Sequence, residues 1–368
     1  MRIGIICYPT YGGSGAVATM LGLSLAARGH DVHFISYALP FRLRGYHERV
    51  TFHEVHIGQY PLFEHPPYSL ALAVMVHEVA VKQRLDVIHA HYAIPHANAA
   101  WQAKQLLAAE RDLKVVTTLH GTDITLVGQD RSYFTITKFS IEHSDAITAV
   151  SAYLRDETLR AFGCTTCEIK VIPNFVDLEE FHPDAARRPA REKVLMHISN
   201  MRPVKRLLDV VKIFALVRQR VPCRLVLAGE GPDRAAAEHE AERLGVADKI
   251  RFLGPVEDVA EILRWADLYL LPSQSESFGL SALEALATGV PVVGTNVGGL
   301  PEVVRHGIDG FLAPVGDVDT LAEGAVELLA DDARWRVASL AARERAAAFA
   351  TDRIIPQYEE VYAAVTGG

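Results

Sequence analysis

The sequence lacks the features that nucleic-acid-binding and membrane-spanning proteins need. Its 37 Lys and Arg residues are outnumbered by 45 Asp and Glu residues, which gives a formal net charge of −8. Proteins that bind nucleic acid through its phosphates usually carry a basic excess, so that role is disfavoured. The longest apolar stretch, residues 68–81, is interrupted by His77 and Glu78 and is too short to cross a bilayer. We therefore expect no integral membrane segment, and any site for an anion must be locally positive.

Cysteine is scarce as well, with four residues in a chain of 368. After Met1 and Arg2 only a short apolar run precedes Pro9, which is not the hydrophobic region of a secretory signal. With few cysteines and no export signal, the protein is expected in the reducing cytoplasm. Cys164 and Cys167 have the spacing of a metal or redox pair, but no second pair accompanies them, so we interpret them as two thiols in a loop.

Length and hydrophobic pattern predict two α/β domains. A chain of 368 residues is long enough for two domains, and short apolar runs alternate with helical patterns through both halves. The first helical pattern, residues 14–28, lies between apolar runs at 2–8 and 32–36, which predicts a βαβ unit and a parallel sheet. The alternation lapses between residues 177 and 192, where prolines, arginines and aspartates indicate a linker. The predicted fold class is α/β, with two Rossmann-like doubly wound domains facing a central cleft and about 50 helical residues at the C-terminus.

Glycines crowd the turn between the first predicted strand and helix, at Gly12, Gly13 and Gly15 around Ser14. Glycine lets the backbone approach a ligand closely, and the N-terminus of the following helix offers free N–H groups to an anion. A dinucleotide site is a competing interpretation, but the G-x-G-x-x-G spacing is absent and no acidic residue ends the second strand. A tight turn that binds no ligand is the other alternative.

A second candidate is His120, which follows the predicted strand 115–119 and precedes Asp123. Ligands of open α/β sheets bind at the carboxyl ends of the strands, and a histidine there can donate a hydrogen bond to a substrate hydroxyl. A loop histidine beside an Asx turn at Asp123 is the structural alternative. Three more histidines bracket another strand end, and we interpret them as packing and hydrogen-bonding residues rather than metal ligands: His89, His91 and His96.

The second half of the chain has clustered charges at two strand ends. Arg202, Lys205 and Arg206 follow a predicted strand and precede a helix. Cations there oppose the helix dipole, so they favour a bound anion such as a diphosphate, although a solvated basic helix start is the alternative. Glu276 follows a later strand, and Glu284 lies in the next helix on an otherwise apolar face. A buried carboxylate needs partners, which sugar or ribose hydroxyls can supply.

Together these motifs resemble the retaining GT-B glycosyltransferases of family four. The signature is an acid, seven residues and a second acid, here Glu276 and Glu284, with Arg202 and Lys205 upstream. The order of the motifs is similar to this family across the whole chain. The resemblance implies an acceptor-binding domain over residues 1–176, a nucleotide-sugar-binding domain over 177–351, and a final helix, 352–368, that packs on the first domain.

Within the family, the N-terminal half most resembles enzymes whose acceptor is L-malate, through segments 7–15, 39–43, 52–55, 89–96 and 117–125. The resemblance implies transfer of N-acetylglucosamine from UDP-N-acetylglucosamine (UDP-GlcNAc) to the hydroxyl of L-malate, the first step of bacillithiol biosynthesis. It further implies a cytoplasmic homodimer that needs no cofactor and no metal. Alternatives are another UDP-sugar-dependent GT-B enzyme with a different acceptor, a sugar-nucleotide epimerase or phosphorylase, and a non-catalytic sugar-nucleotide-binding protein.

The resemblance also implies a role for each candidate residue. Glu284 would bind the ribose hydroxyls of UDP, while Arg202 and Lys205 would neutralise the diphosphate. Glu276 would bind the sugar hydroxyls and His120 would contact the sugar from the other domain, so both are grouped with Arg202 and Lys205 as catalytic residues. The malate hydroxyl would attack on the face that UDP leaves, and a donor phosphate oxygen would take its proton. The remaining donor-binding candidates are Gly13, Ser14, Gly15, Asn200, Gly229, Ser277, Phe278, Gly279 and Leu280, and the acceptor-binding candidates are Ser14, Tyr92, Thr118 and His120.

Overall fold

The chain folds into two compact units. The computed structural model describes residues 1–10, 12–58, 61, 64–164, 167–184 and 192–367. Unit 1 comprises Met1–Asn174 and Asp352–Gly368, and unit 2 comprises Phe175–Thr351. The predicted linker, 177–192, lies partly outside the described residues, at positions 185–191. No helix within the described ranges is long and apolar enough to span a bilayer.

Unit 1 is built on a seven-stranded parallel sheet in the order β3-β2-β1-β4-β5-β6-β7. The central strands are short apolar runs whose side chains are buried on both faces, as in other parallel sheets covered by helices. The strands are β1 (Arg2–Ile6), β2 (Asp31–Ser36), β3 (Val50–Glu54), β4 (Val87–His91), β5 (Lys114–Leu119), β6 (Ala146–Ala149) and β7 (Ile169–Val171). The first six helices are α1 (Gly13–Ala27), α2 (Tyr68–Gln83), α3 (Asn98–Leu107), α4 (Thr122–Thr125), α5 (Phe134–Glu142) and α6 (Ala152–Phe162).

Unit 2 repeats the plan with a six-stranded parallel sheet in the order β10-β9-β8-β11-β12-β13. Its core lies between this sheet and the helices α7 and α11, whose apolar faces pack against buried strand residues. The strands are β8 (Lys193–Ile198), β9 (Cys223–Ala228), β10 (Ile250–Gly254), β11 (Leu268–Leu271), β12 (Val292–Thr295) and β13 (Gly310–Ala313). The helices are α7 (Leu207–Arg218), α8 (Arg234–Arg243), α9 (Val259–Leu263), α10 (Leu280–Ala287), α11 (Val318–Leu329) and α12 (Asp332–Ala347).

The last helix, α13 (Thr351–Thr366), leaves unit 2 and packs on unit 1. Its predicted apolar face is buried, with Tyr358 and Tyr362 fully enclosed. The Tyr362 hydroxyl lies 2.7 Å from His89 Nδ1 in β4, and Glu359 accepts two hydrogen bonds from the Arg28 guanidinium at 2.8 and 2.7 Å. The helix is therefore attached to unit 1 by both a buried and a surface polar contact.

The α/β fold class with two parallel sheets is confirmed, and most predicted elements are present within a few residues of their predicted ends. The pattern missed β3, an edge strand whose side chains are only partly buried, so that its apolar alternation is weak. It also missed β13, which begins with Gly310, and the polar helix α6. The apolar pattern also predicts a helix over residues 95–107, whereas α3 begins at Asn98, because Ile94 is extended and the turn Ala93–Ala97 is irregular.

In both sheets, aspartate side chains accept hydrogen bonds from backbone N–H groups at the amino ends of neighbouring strands. Asp86 precedes β4 and accepts a 2.7 Å hydrogen bond from Arg2 N at the start of β1. Asp145 accepts in the same way from Val115 N at 2.7 Å. In unit 2, Asp267 accepts from Val194 N at 2.7 Å, while its own N–H donates back to the Val194 carbonyl. Each carboxylate thus satisfies a backbone donor that the neighbouring strand would leave unpaired.

The burial of these aspartates predicts the size of their contributions to stability. Asp267 is 4% exposed and Asp86 is exposed. Asp267→Ala leaves a buried N–H without its acceptor, so we expect it to cost about 1–3 kcal/mol. Asp86→Ala leaves an N–H that water can reach, and we expect a loss of less than about 1 kcal/mol. Calorimetric melting of both variants tests this order, and an equal fall in melting temperature would contradict it.

Candidate active site

The glycine turn of unit 1 is shaped by a close approach of the backbone. Gly15 lies in the first turn of α1, and a Cβ there would be 2.8 Å from the Tyr8 carbonyl oxygen. A side chain at this position would therefore displace the turn. The neighbouring Ser14 accepts a 2.9 Å hydrogen bond from the Tyr92 hydroxyl, and the Tyr92 ring lies 5.2 Å from the His120 ring. The structure thus brings together Ser14, Tyr92 and His120 from three strand ends.

Tyr92 itself has a strained backbone. Its φ of +93° is positive, a backbone conformation that residues other than glycine and asparagine rarely adopt. Such strain persists only where the surroundings enforce it, and it is found most often in functional sites. Here the Tyr92 N–H donates to the Thr118 carbonyl at 2.9 Å, which holds the end of β4 against the end of β5.

A buried carboxylate positions the His120 loop. Asp123, 2% exposed, accepts hydrogen bonds from Gly121 N at 3.0 Å, His120 N at 3.3 Å and Ala93 N at 2.9 Å. Burial raises the pKa of Asp123 to about 6, although the N–H donors act in the opposite direction. In an Asx turn the carboxylate accepts from an N–H that follows it in the chain, whereas these three donors all precede Asp123. The carboxylate thus ties the loops after β4 and β5 together without forming the Asx turn considered as the alternative.

Thr118 differs from the other acceptor candidates in its surroundings. It is fully buried, and its hydroxyl lies 2.6 Å from both His89 Nε2 and the Thr148 hydroxyl. A hydroxyl has one donor and two acceptor positions, and these partners occupy most of them. The Thr118 side chain therefore supports the sheet interior, and its role as an acceptor contact stays a prediction.

The three histidines around β4 are buried and hydrogen-bonded, as interpreted from the sequence. His89 contacts Tyr362 and Thr118, His91 Nδ1 lies 2.8 Å from His120 Nε2, and His96 Nδ1 bonds to the His91 carbonyl. Burial lowers the pKa of His89 to about 3 and of His96 to about 4. The described residues contain no group of three or more His, Cys, Asp or Glu side chains arranged to hold a metal ion.

Cys164 and Cys167 require a correction. The sequence interpretation was two free thiols, whereas the structure joins them in a disulfide with a Cα–Cα distance of 5.6 Å. The two intervening residues, 165 and 166, lie outside the described part of the chain. This Cα–Cα distance suits a disulfide, whereas the sequence interpretation set the pair aside because no second cysteine pair accompanies it.

Unit 2 places Lys205 against Glu276. Lys205 Nζ donates a 2.6 Å hydrogen bond to Glu276 Oε1, and the Ser273 hydroxyl donates to the same oxygen at 2.8 Å. Arg206, by contrast, is bound to Asp209 at 2.6 Å and to the Gln274 side chain at 3.1 Å, so it anchors the start of α7. Arg202 is exposed at the end of the same loop. Lys205 and Arg206 thus each pair with a carboxylate, and the assignment of Arg202 and Lys205 to a bound anion stays a prediction.

The loop that carries these cations is fixed by a histidine which the sequence analysis missed. His197 Nδ1 lies 2.8 Å from the Leu270 carbonyl and so must donate to it. Burial lowers the pKa of His197 to about 4, so the ring is neutral and its Nε2 accepts from the Ser199 hydroxyl at 2.8 Å. Ser199 in turn accepts from Met201 N at 3.1 Å. A histidine inside an apolar strand is the only sequence signal of this role.

Glycines allow the remaining loops of unit 2 to approach each other. Gly229 has φ +112°, and a Cβ there would be 1.8 Å from the Ser199 carbonyl oxygen. Gly298 has φ +59°, and a Cβ there would be 1.9 Å from the Glu276 carbonyl oxygen. Any larger residue at Gly229 would therefore force the loop around Ser199 to shift, and any larger residue at Gly298 would do the same to the loop around Glu276.

The acidic signature lies at the start of α10. Gly279, with φ +95°, caps the helix and lets the chain turn between Glu276 and Glu284. Both carboxylates are largely buried, at 8% and 5% exposure. Phe278 packs edge-on against Phe349, with 5.7 Å between ring centroids, so its side chain belongs to the core. The other donor candidates border these loops: Ser277 and Leu280 beside Gly279, and the exposed Asn200 before Arg202.

Two family profiles match the chain in succession. "Glycosyltransferase Family 4" covers residues 11–180, and "Glycosyl transferases group 1" covers residues 179–347. N-acetyl-alpha-D-glucosaminyl L-malate synthase from Bacillus anthracis is 45% identical over 98% of this chain and 96% of its own length. The chain belongs to the family-4 glycosyltransferases. It is accordingly a glycosyltransferase, and the resemblance expected from the sequence is confirmed.

Solved structures of distant relatives show the fold. Sucrose-phosphate synthase from Thermosynechococcus elongatus has a TM-score of 0.83 at 23% identity, covering 100% of this chain and 99% of that one. Anabaena HepE, solved in complex with UDP-glucose, has a TM-score of 0.78 at 21% identity, covering 99% of this chain and 100% of that one. These glycosyltransferase neighbours confirm the GT-B fold class of this family-4 chain.

Buried neutral histidines predict that acid destabilises unit 1 of this glycosyltransferase before unit 2. Their pKa in the folded protein lies below the ordinary value near 6.5, so the unfolded chain binds protons that the folded chain does not. Their stabilising contribution is complete above pH ~6.5 and falls as the pH drops towards the folded values. Unit 1 holds His89, His91, His96 and His120, whereas unit 2 holds His197.

Hydrogen exchange at pH 7 and pH 5, corrected for intrinsic rates, tests this expectation. Protection should fall more in β4 and β5 of unit 1 than in β8 and β11 of unit 2. Asp123 acts against the trend, because its raised pKa favours the folded state as the pH falls from about 6 towards its ordinary value near 3.8. Equal loss of protection in both units, or earlier loss in unit 2, would contradict the prediction.

Proposed function

We propose that this enzyme transfers N-acetylglucosamine from UDP-GlcNAc to the hydroxyl of L-malate, with retention at the anomeric carbon, releasing UDP. This is the first step of bacillithiol biosynthesis. The observation that carries the proposal is the 45% identity to a named GlcNAc-malate synthase over 98% of the chain, since a match of this length spans both unit 1 and unit 2.

On the donor side, unit 2 supplies groups of the required chemistry. Glu284 accepts hydrogen bonds from the ribose hydroxyls of UDP, and Glu276 with the backbone of Ser277 and Gly279 binds the sugar. Arg202 and Lys205 neutralise the diphosphate, Arg as a fork and Lys as a point charge. The contact of Lys205 with Glu276 supports this role, because it holds the ammonium group in place beside the sugar-binding carboxylate.

On the acceptor side, unit 1 supplies uncharged donors. Ser14 lies in the first turn of α1, whose free N–H groups suit a carboxylate of L-malate, and it accepts a 2.9 Å hydrogen bond from the Tyr92 hydroxyl at the end of β4. His120 lies beside Tyr92 and contacts a substrate hydroxyl. We propose that no metal takes part, that a donor phosphate oxygen accepts the malate proton, and that the enzyme stabilises the charge that develops on UDP.

The direct test is mass spectrometry of products. Purified protein is incubated with UDP-GlcNAc, with and without L-malate, in the presence and absence of a chelator. GlcNAc-malate and UDP, formed only with L-malate and unaffected by chelator, are the expected result. UDP release that ignores L-malate would point to an epimerase or hydrolase, and turnover only with another acceptor would point to a different GT-B enzyme. Light scattering of the same sample tests the homodimer that we propose for this cytoplasmic reaction.

Lys205→Met tests the role of the diphosphate cations. A preorganised charge acts most strongly where charge develops, so we expect kcat to fall by about 10²–10³-fold while UDP affinity falls less. Lys249→Met is the matched control, because Lys249 pairs only loosely with Glu192, at 3.7 Å, on the surface of the same unit. Equal losses in kcat and UDP affinity for Lys205→Met would argue against transition-state stabilisation by this residue.

A further inference from the structure

The bond between His91 and His120 needs one proton. His91 Nδ1 lies 2.8 Å from His120 Nε2, and the two rings are nearly parallel, at 23°. Burial lowers the pKa of both imidazoles, so each ring carries a single N–H at neutral pH. One ring must therefore donate and the other accept, and the direction decides which nitrogen of His120 keeps its proton.

The surroundings of His91 decide the direction. Its other nitrogen, Nε2, is buried and has no hydrogen-bond partner among the described residues. If Nδ1 accepted from His120, the His91 proton would lie on Nε2, and a buried N–H would be left unpaired. If Nδ1 donates, Nε2 carries only a lone pair, and unfilled buried acceptors are more common than orphaned buried N–H groups. The donor is therefore His91 Nδ1.

We propose that His91 is a positioning residue that holds His120 in its Nδ1–H tautomer, so that His120 donates a hydrogen bond to a substrate oxygen and does not act as a base. The identity of that substrate rests on the function proposed above, but the tautomer does not. With Nε2 of His120 occupied as an acceptor, Nδ1–H is the part of the ring left for a ligand.

Several contacts fix the orientation of His91. Its ring stacks on His89 with 4.4 Å between centroids, and its carbonyl accepts from His96 Nδ1. His89 is held in turn by the Tyr362 hydroxyl at 2.7 Å and the Thr118 hydroxyl at 2.6 Å. A ring whose position is set from several sides can impose its donor direction on a neighbour, as outer-shell residues do for metal-bound histidines.

No charged group among the described residues opposes this arrangement. The titratable groups facing the pair are His89 in β4, His96 in the turn after it, Tyr92, and Asp123 in α4. Asp123 is an acid in direct contact with the main chain of His120, and both its oxygens accept from backbone N–H groups. Its contact with His120 is to the main chain, at 3.3 Å, so it supports the loop and leaves the ring proton to His91.

Nitrogen NMR of the wild-type protein tests the tautomer directly. The protein is labelled with ¹⁵N-histidine, and long-range ¹H–¹⁵N correlations are recorded at pH 7. His120 is assigned by the signals that disappear in His120→Gln. The Nδ1–H tautomer of His120 is the expected result, and an Nε2–H tautomer or an imidazolium would overturn the proposal. Because no substrate is needed, this outcome is independent of whether L-malate is the acceptor.

Two variants of His91 separate positioning from packing. His91→Asn keeps an N–H donor near the Nδ1 position, and we expect kcat/KM within about threefold of wild type. His91→Leu fills the space without a donor, and we expect a loss of about tenfold in kcat/KM with a melting temperature close to that of His91→Asn. Equal activity of the two variants would overturn the proposal.

His91→Asp reverses the direction of the bond. A carboxylate can only accept, so it draws the His120 proton to Nε2 and raises the pKa of His120. We expect a new ionisation in the pH profile of kcat/KM, between about pH 6 and pH 8, that wild type and His91→Asn lack. Absence of that ionisation in a folded His91→Asp variant would overturn the proposal, since His91 would then not control the proton of His120.

Discussion

Both sheets are parallel and covered by helices on both faces, and the placement of the site depends on this constraint. Helices cover both faces of a strand in such a sheet, so its residues can meet a ligand only where the strand ends. In unit 1, β1, β4 and β5 end near Ser14, Tyr92 and His120, and in unit 2 the loops after β8 and β11 carry Lys205 and Glu276. The opposite edge is closed by buried or exposed aspartates, which accept hydrogen bonds from strand N–H groups.

Polar residues are buried beneath these strand ends, and each must be hydrogen-bonded if its burial is not to destabilise the fold. A buried imidazole or hydroxyl destabilises the fold unless it is hydrogen-bonded. His197 meets this condition by joining Leu270, Ser199 and Met201 into one chain, and the result is a fixed loop before Arg202. His89 does the same between Tyr362 and Thr118. In both units the buried network orders the loop that presents the candidate site.

Sequence patterns predicted the features that follow from local chemistry. The βαβ alternation, the glycine turns, and the Glu276 and Glu284 signature each depend on residues close together in the chain. His91 and His197 act through partners that are distant in the chain, at separations of 29 and 73 residues, and no local pattern distinguishes them from ordinary core positions. Strand β3 was not predicted, because the side chains of this edge strand are only partly buried and its apolar alternation is weak. The interpretation of Cys164 and Cys167 as thiols was wrong because the lack of a second cysteine pair was weighed above their spacing.

The two units contribute different kinds of polar group, and the difference suits the proposed reaction. Unit 2 offers full charges, Arg202 and Lys205, where the leaving UDP gains charge. Unit 1 offers the neutral donors Ser14, Tyr92 and His120. A His120 that donates from Nδ1 cannot at the same time remove the proton of an attacking hydroxyl through that nitrogen, and its Nε2 is occupied by His91. In the proposed reaction the proton then leaves towards the donor phosphate, whose growing negative charge makes it a stronger base as the bond to the sugar breaks.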